Sequence, residues 1–149
     1  MMLDAMLQLS SGQAVTASAV STNTIDLSQN RDLASGDTLV ALFTVDSTVT
    51  AAGAATVNFQ IISSASANLS SPTILAQSGP IPKADLTAGR APFSVGLAQN
   101  ASLAVSIGQR YIGVQYLVST GPLTAGAFSC CLSTDSNVSK IYPGNFTVA

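Results

Sequence analysis

Apolar and polar residues alternate along much of this chain, which is the pattern of strands that bury one face. The alternation is clearest at residues 57–61, 93–97, 103–107, 112–118 and 128–132. Residues 39–45 are apolar on both faces, as expected of a central strand that is covered on both sides. Turn-forming residues separate these segments, including the Gly-Pro-Ile-Pro run at 79–82. The pattern predicts an all-β fold, a jelly-roll type β-sandwich of about eight antiparallel strands.

The predicted core consists of the apolar residues that share one face of each alternating segment. These are Leu39, Phe43, Phe59, Ile61, Phe93, Val95, Ile112, Val114, Tyr116, Phe128 and Leu132. A register error of one residue would turn every member of a strand to the opposite face. The members of each strand should thus all face inward or all face outward, and we expect the whole set to face inward.

The first eighteen residues are predicted to be an N-terminal arm or short helix, followed by a sandwich domain at residues 19–149. Met2, Met6 and Leu9 have helical spacing, but nine residues are too few to form a stable helix alone in water. Residues 10–21 are small and polar and predict an extended connection. The helix either caps the open end of the sandwich or docks on a partner. We expect docking, so deletion of residues 1–13 should leave the sandwich folded.

The predicted contact surface of this arm consists of its large apolar side chains. They are Met2, Leu3, Met6, Leu7 and Leu9. Methionine side chains are flexible and suit a surface that must fit several similar environments.

Reactive and charged side chains are scarce in this chain. It contains no His, Trp or Glu, and charged residues make up 8% of it. Because His is the usual proton carrier and a common metal ligand, the composition favours neither an enzyme nor a metal or cofactor site. The five basic residues are scattered singly, so neither nucleic acid nor a membrane is an expected partner. A surface with so few charges suits a subunit that stays in contact with other subunits.

Cys130 and Cys131 are neighbours in a predicted strand. Their side chains should point to opposite faces, which disfavours a disulfide between them. The sequence predicts one thiol in the core and one outside.

Several different short motifs follow one another along nearly the whole chain, and their order and spacing are informative together. They comprise Met2–Asp4 with Gln8–Leu9, Gln13–Ala17, Ser21–Leu27 followed by Arg31–Asp32 and Gly36–Asp37, Gly79–Pro82, Gly108–Tyr116 and Gly121–Gly126. Together these motifs resemble the cement (decoration) proteins of short-tailed phages related to the Bordetella phages. The stretch at 99–107 departs from the resemblance because it is longer and more strand-like.

The resemblance implies a jelly-roll subunit on the outer surface of an HK97-type capsid, where it clamps neighbouring capsomers of the major capsid protein. It implies no catalytic residues and no cofactor, and a protein made in the host cytoplasm that ends in the virion. The charge-poor surface predicts a homo-oligomer, with a dimer favoured and a trimer second. Two alternatives stay open: a fimbrial or surface-layer subunit, which needs a secretion signal, and a sugar-binding module of a tail fibre, which needs exposed aromatic residues.

Overall fold

The computed structural model describes residues 4–30, 39–97 and 109–134, which form a sandwich of two antiparallel sheets. The first sheet contains, in spatial order, β1 (Gln8–Ala14), β9 (Ala125–Ser133), β4 (Val40–Thr50) and β7 (Phe93–Gly96). The second contains β2 (Ala19–Val20), β8 (Tyr111–Ser119), β5 (Thr56–Ser64) and β6 (Thr73–Pro82), with β3 (Ile25–Asp26) also paired to β8. Two short 3-10 helices, η1 (Ala5–Leu7) and η2 (Lys83–Asp85), complete the described elements.

The strand order is that of a jelly roll. Early and late strands are neighbours in both sheets, since β1 pairs with β9 and β2 pairs with β8. The middle strands β4 and β5 occupy the centres of the two sheets, beside β9 and β8 respectively. The predicted fold class is therefore confirmed, with nine strands among the described residues where about eight were expected. The predicted strand at 103–107 lies outside the described residues.

One apolar cluster fills the space between the sheets, as the alternation of residues predicts. All of the predicted core residues are buried except Leu39 and Phe93, which are partly exposed but pack against the same cluster. Residues 57–61 place their odd-numbered side chains inward and residues 112–116 their even-numbered ones, and each of these is fully or almost fully buried. The predicted strand register is thus confirmed.

Strand β6 is the outer strand of the second sheet, and its prolines suit that position. Pro80 and Pro82 both lie opposite residues of β5. A proline has no N–H group, so an edge strand tolerates it where the backbone nitrogen faces away from the neighbouring strand and needs no hydrogen bond to it. A register shift precedes Pro80, and the Ser78 hydroxyl there accepts a hydrogen bond from the Phe59 N–H. Residues 79–82 therefore belong to an edge strand, and the prediction that they form a turn is wrong.

The N-terminal segment belongs to the sandwich from Gln8 onward. Strand β1 pairs with β9, with register shifts on both sides of Ser10. Leu9 is fully buried, and the hydroxyls of Ser10 and Tyr116 are hydrogen-bonded across the sandwich. The prediction of a separate arm over residues 1–18 is thus wrong beyond Leu7. The physical reason is that the backbone groups of this small, polar segment pair with β9 instead of water.

Candidate interaction surface

The predicted contact residues differ in how much of each side chain is exposed to solvent. The side chain of Met6 is 82% exposed, whereas Leu7 is partly buried against the main apolar cluster and Leu9 is fully buried. Met2 and Leu3 lie outside the described residues. Leu9 is therefore a core residue and cannot offer surface to a partner while the sandwich stays folded. Met6 is the described member of the set that is freely available for contact.

A single 3-10 turn presents Met6 to solvent. The Asp4 carboxylate accepts a hydrogen bond from the Met6 N–H at 2.9 Å, and the Asp4 carbonyl accepts one from the Leu7 N–H at 3.0 Å. An Asp at this position satisfies backbone donors that the start of a helix leaves unpaired. With Leu7 packed against the core on one side of the turn, Met6 points away from the sandwich.

The two adjacent cysteines lie on opposite faces of β9, as predicted, but both are buried and neither forms a disulfide. Cys130 belongs to the cluster between the sheets. Cys131 lies on the outer face, where its Sγ is 3.7 Å from the Asp4 carbonyl oxygen and weakly hydrogen-bonded to it. The expectation of one thiol outside is wrong because the N-terminal turn lies against this part of β9.

A second exposed apolar side chain lies on the other side of the sandwich. Ile74 is 48% exposed on β6, opposite Ile62 of β5. Ile74 lies on β6, which is the outer strand of the second sheet on the side away from β2. Met6 lies just before β1, which is the outer strand of the first sheet on the same side as β2. The two side chains are therefore on opposite sides of the sandwich. Sequence reasoning missed Ile74 because the segment at 73–77 shows no clear alternation and was not predicted as a strand.

The outer face of the second sheet carries a group of uncharged amides. The Gln77 Oε1 atom accepts hydrogen bonds from Asn58 Nδ2 at 3.0 Å and from Gln60 Nε2 at 2.9 Å. Gln115 of β8 lies directly opposite Gln60 in the sheet. Gln60 is itself buried, so Asn58 and Gln77 are the amides of this hydrogen-bonded group that reach the surface, and contacts made there depend on hydrogen bonds rather than on ionic attraction.

A bidentate ion pair fixes the segment around β3 to the second sheet. Arg110 Nε and its terminal NH2 nitrogen each lie 2.7 Å from a carboxylate oxygen of Asp26. The guanidinium also lies over the Tyr111 ring, 5.0 Å from its centroid. The hydrogen bonds from Arg110, followed by one from the Ser28 N–H, lower the pKa of Asp26 from 3.8 to about 2.

This shift predicts how the attachment of β3 depends on pH. Because the pKa of Asp26 in the folded protein is lower than its ordinary value, the pair stabilises the fold above about pH 4 and is lost as the pH falls towards 2. An NMR titration of the Asp26 carboxyl carbon should give a midpoint near 2. In the R110Q variant the midpoint should return towards 3.8. The R90Q variant removes the same charge elsewhere and should leave the midpoint unchanged; an equal response in both variants would contradict the assignment.

The described residues thus define a jelly-roll β-sandwich with exposed apolar side chains on opposite sides and an uncharged amide face. The chain belongs to the Bbp16 family, a phage-related family whose model matches residues 9–132. The matched region extends from the buried Leu9 to the buried Leu132 and so covers the sandwich from β1 to β9. A comparison with curated proteins finds no match. Among the residues described, no helix is long and apolar enough to span a membrane.

Proposed function

We propose that this protein is a capsid cement protein, which binds the outside of an HK97-type phage capsid and clamps neighbouring subunits of the major capsid protein. The observation that carries the proposal is membership of a phage-related family over residues 9–132. The jelly-roll sandwich fits the resemblance to phage cement proteins. We propose that the protein acts as a small homo-oligomer, with a dimer favoured.

The positions of the exposed apolar side chains support a clamping role. A subunit that joins two neighbours needs separate contacts with each of them. Met6 and Ile74 are exposed on opposite sides of the sandwich and provide an apolar centre for one contact each. A specific interface usually buries at least about 1,000 Å² in total, so polar contacts would surround each side chain, and the amides near Gln77 can supply them beside Ile74.

The scarcity of charge supports attachment that tolerates changes in salt. Charged residues make up 8% of the chain, and the amide face is held by hydrogen bonds between neutral groups. Ionic screening weakens contacts between exposed charges but has little effect on apolar and amide contacts. We therefore propose that the bound protein stays on the shell over a wide range of ionic strength.

A structural role without catalysis is part of the proposal. Burial raises the pKa of both cysteine thiols, that of Cys130 well above its ordinary value, so neither is readily converted to the nucleophilic thiolate. The absence of His from the sequence removes the usual general base.

Co-sedimentation with capsids assembled from the major capsid protein of the same phage tests the proposal. The wild-type protein should pellet with expanded capsids, and raising the salt concentration should change the bound fraction little. The M6S and I74S variants should weaken binding several-fold while changing the melting temperature little, because Met6 is exposed and Ile74 is about half exposed. The M6L and I74V variants keep apolar surface and should bind like wild type.

Failure of the wild-type protein to pellet with these capsids would overturn the proposed function. If the wild-type protein binds and both serine variants bind equally well, the capsid-binding role stands, but Met6 and Ile74 are not its contact residues.

A further inference from the structure

The N-terminal turn, defined here as residues Asp4–Leu7, is attached to the sandwich by few interactions. Its hydrogen bonds are local: the N–H groups of Met6 and Leu7 donate to Asp4, and the Gln8 N–H at the start of β1 donates to the Ala5 carbonyl. Within the described part of the chain, its contacts with the sandwich beyond Gln8 are the partial burial of Leu7 and the weak bond from the Cys131 thiol to the Asp4 carbonyl. A thiol is a poor hydrogen-bond donor, so this last contact contributes little.

Strand β1, which follows the turn directly, is held much more firmly. Leu9 is fully buried, and its carbonyl accepts a hydrogen bond from the Asn23 N–H at 2.9 Å. The hydroxyl of Ser10 is bonded to that of Tyr116 inside the sandwich. The change from weak to firm attachment therefore falls at Gln8, where the pairing with β9 also shifts register.

We propose that the N-terminal turn is a latch that detaches from the outer face of the first sheet, pivoting at Gln8, while the sandwich stays folded. Segments with few buried contacts commonly open locally at a small fraction of the free energy of global unfolding. Opening uncovers the Cys131 side chain and frees Leu7 from the core. The open state then offers Leu7 beside Met6 as a continuous apolar surface, whereas the closed state exposes Met6 alone.

The adjacent cysteines allow this local opening to be distinguished from global unfolding. Cys131 lies under the turn, so its thiol becomes reactive when the turn detaches. Cys130 lies between the sheets and becomes reactive only when the sandwich opens. The inference goes beyond the proposed function, and its test uses the isolated full-length protein, so its failure would leave capsid binding untouched.

The experiment measures the reaction of both thiols with a chromogenic disulfide reagent under native conditions. Two phases of one thiol each are expected, the faster at least about tenfold quicker than the slower because local opening costs less than global unfolding. The C131A variant should lose the fast phase, and C130A should keep it. Low concentrations of urea should accelerate the slow phase but hardly change the fast one, since little surface is exposed when only the turn opens.

Variants within the turn supply the second readout. D4A removes the carboxylate that caps the turn and L7A removes its apolar anchor, so both should accelerate the fast phase several-fold. The M6A variant changes an exposed side chain of the same turn and should leave the rate unchanged. Equal rates and equal urea dependence for the two thiols would overturn the proposal, and so would a fast phase that responds to D4A and L7A no more than to M6A.

Discussion

Replacing Phe59 with Ala is expected to lower the free energy of unfolding by about 3–5 kcal/mol. The Phe59 ring is fully buried at the centre of the aromatic cluster. Its centroid lies 5.0 Å from those of Phe43, Phe93 and Phe128 and 5.7 Å from that of Tyr116. These partners come from both sheets, so the cavity would form where the two sheets meet and could not be closed by moving one loop.

Urea unfolding followed by circular dichroism measures this loss. The F59L variant keeps most of the side-chain volume and should cost much less than F59A. The I74A variant removes an aliphatic side chain from an exposed position and should change stability by less than about 1 kcal/mol. A wild-type unfolding midpoint for F59A would show that Phe59 does not occupy the core position described above.

Deleting residues 1–13 is expected to destabilise or unfold the sandwich, whereas deleting residues 1–7 should leave it folded. The longer deletion removes most of β1 and the buried Leu9, a loss of roughly 2–5 kcal/mol from that side chain alone. It also leaves the buried hydroxyl of Tyr116 without Ser10, which adds about 1–3 kcal/mol. The sequence alone predicted that the sandwich would tolerate this deletion.

Melting curves of the two truncated proteins decide between these expectations. The shorter deletion should lower the melting temperature only slightly, because it removes the weakly attached turn. The L9A variant, with its chain length unchanged, should reproduce a large part of the effect of the longer deletion. If the protein lacking residues 1–13 melts like the full chain, β1 contributes nothing to the fold and its pairing with β9 is incidental.

The central strands and the outer strand β7 were predictable from the sequence, whereas the other outer strands were not. Strands β4, β5, β8 and β9 bury one or both faces, so burial selects apolar residues with a regular period. Strand β1 is built from small polar residues and β6 contains Gly79, Pro80 and Pro82, because an outer strand needs little apolar surface. Strands β2 and β3 have two residues each, which is too short for any periodic pattern.

The candidate surface was predictable only in part, for a different reason. The apolar residues near the N-terminus led to the prediction that Met6 is a contact residue, and Met6 is exposed, but exposure depends on contacts that are distant in sequence. Leu9 is buried because β1 pairs with β9, and Cys131 is covered by a residue 127 positions away. The local pattern of apolar and polar residues does not predict such long-range contacts. Ile74 was overlooked because its strand was not predicted.

Pro80 and Pro82 also determine how crowded copies of this protein can behave. An edge strand with free amide hydrogens can template a strand from another molecule, and repeated addition of this kind produces fibres. Along the part of β6 that holds the two prolines, no amide hydrogen is present at either position to begin such an addition. At this part of β6, neighbouring molecules at high density are therefore protected against pairing their edge strands. Copies of this protein can thus be concentrated on a surface while each keeps its own fold.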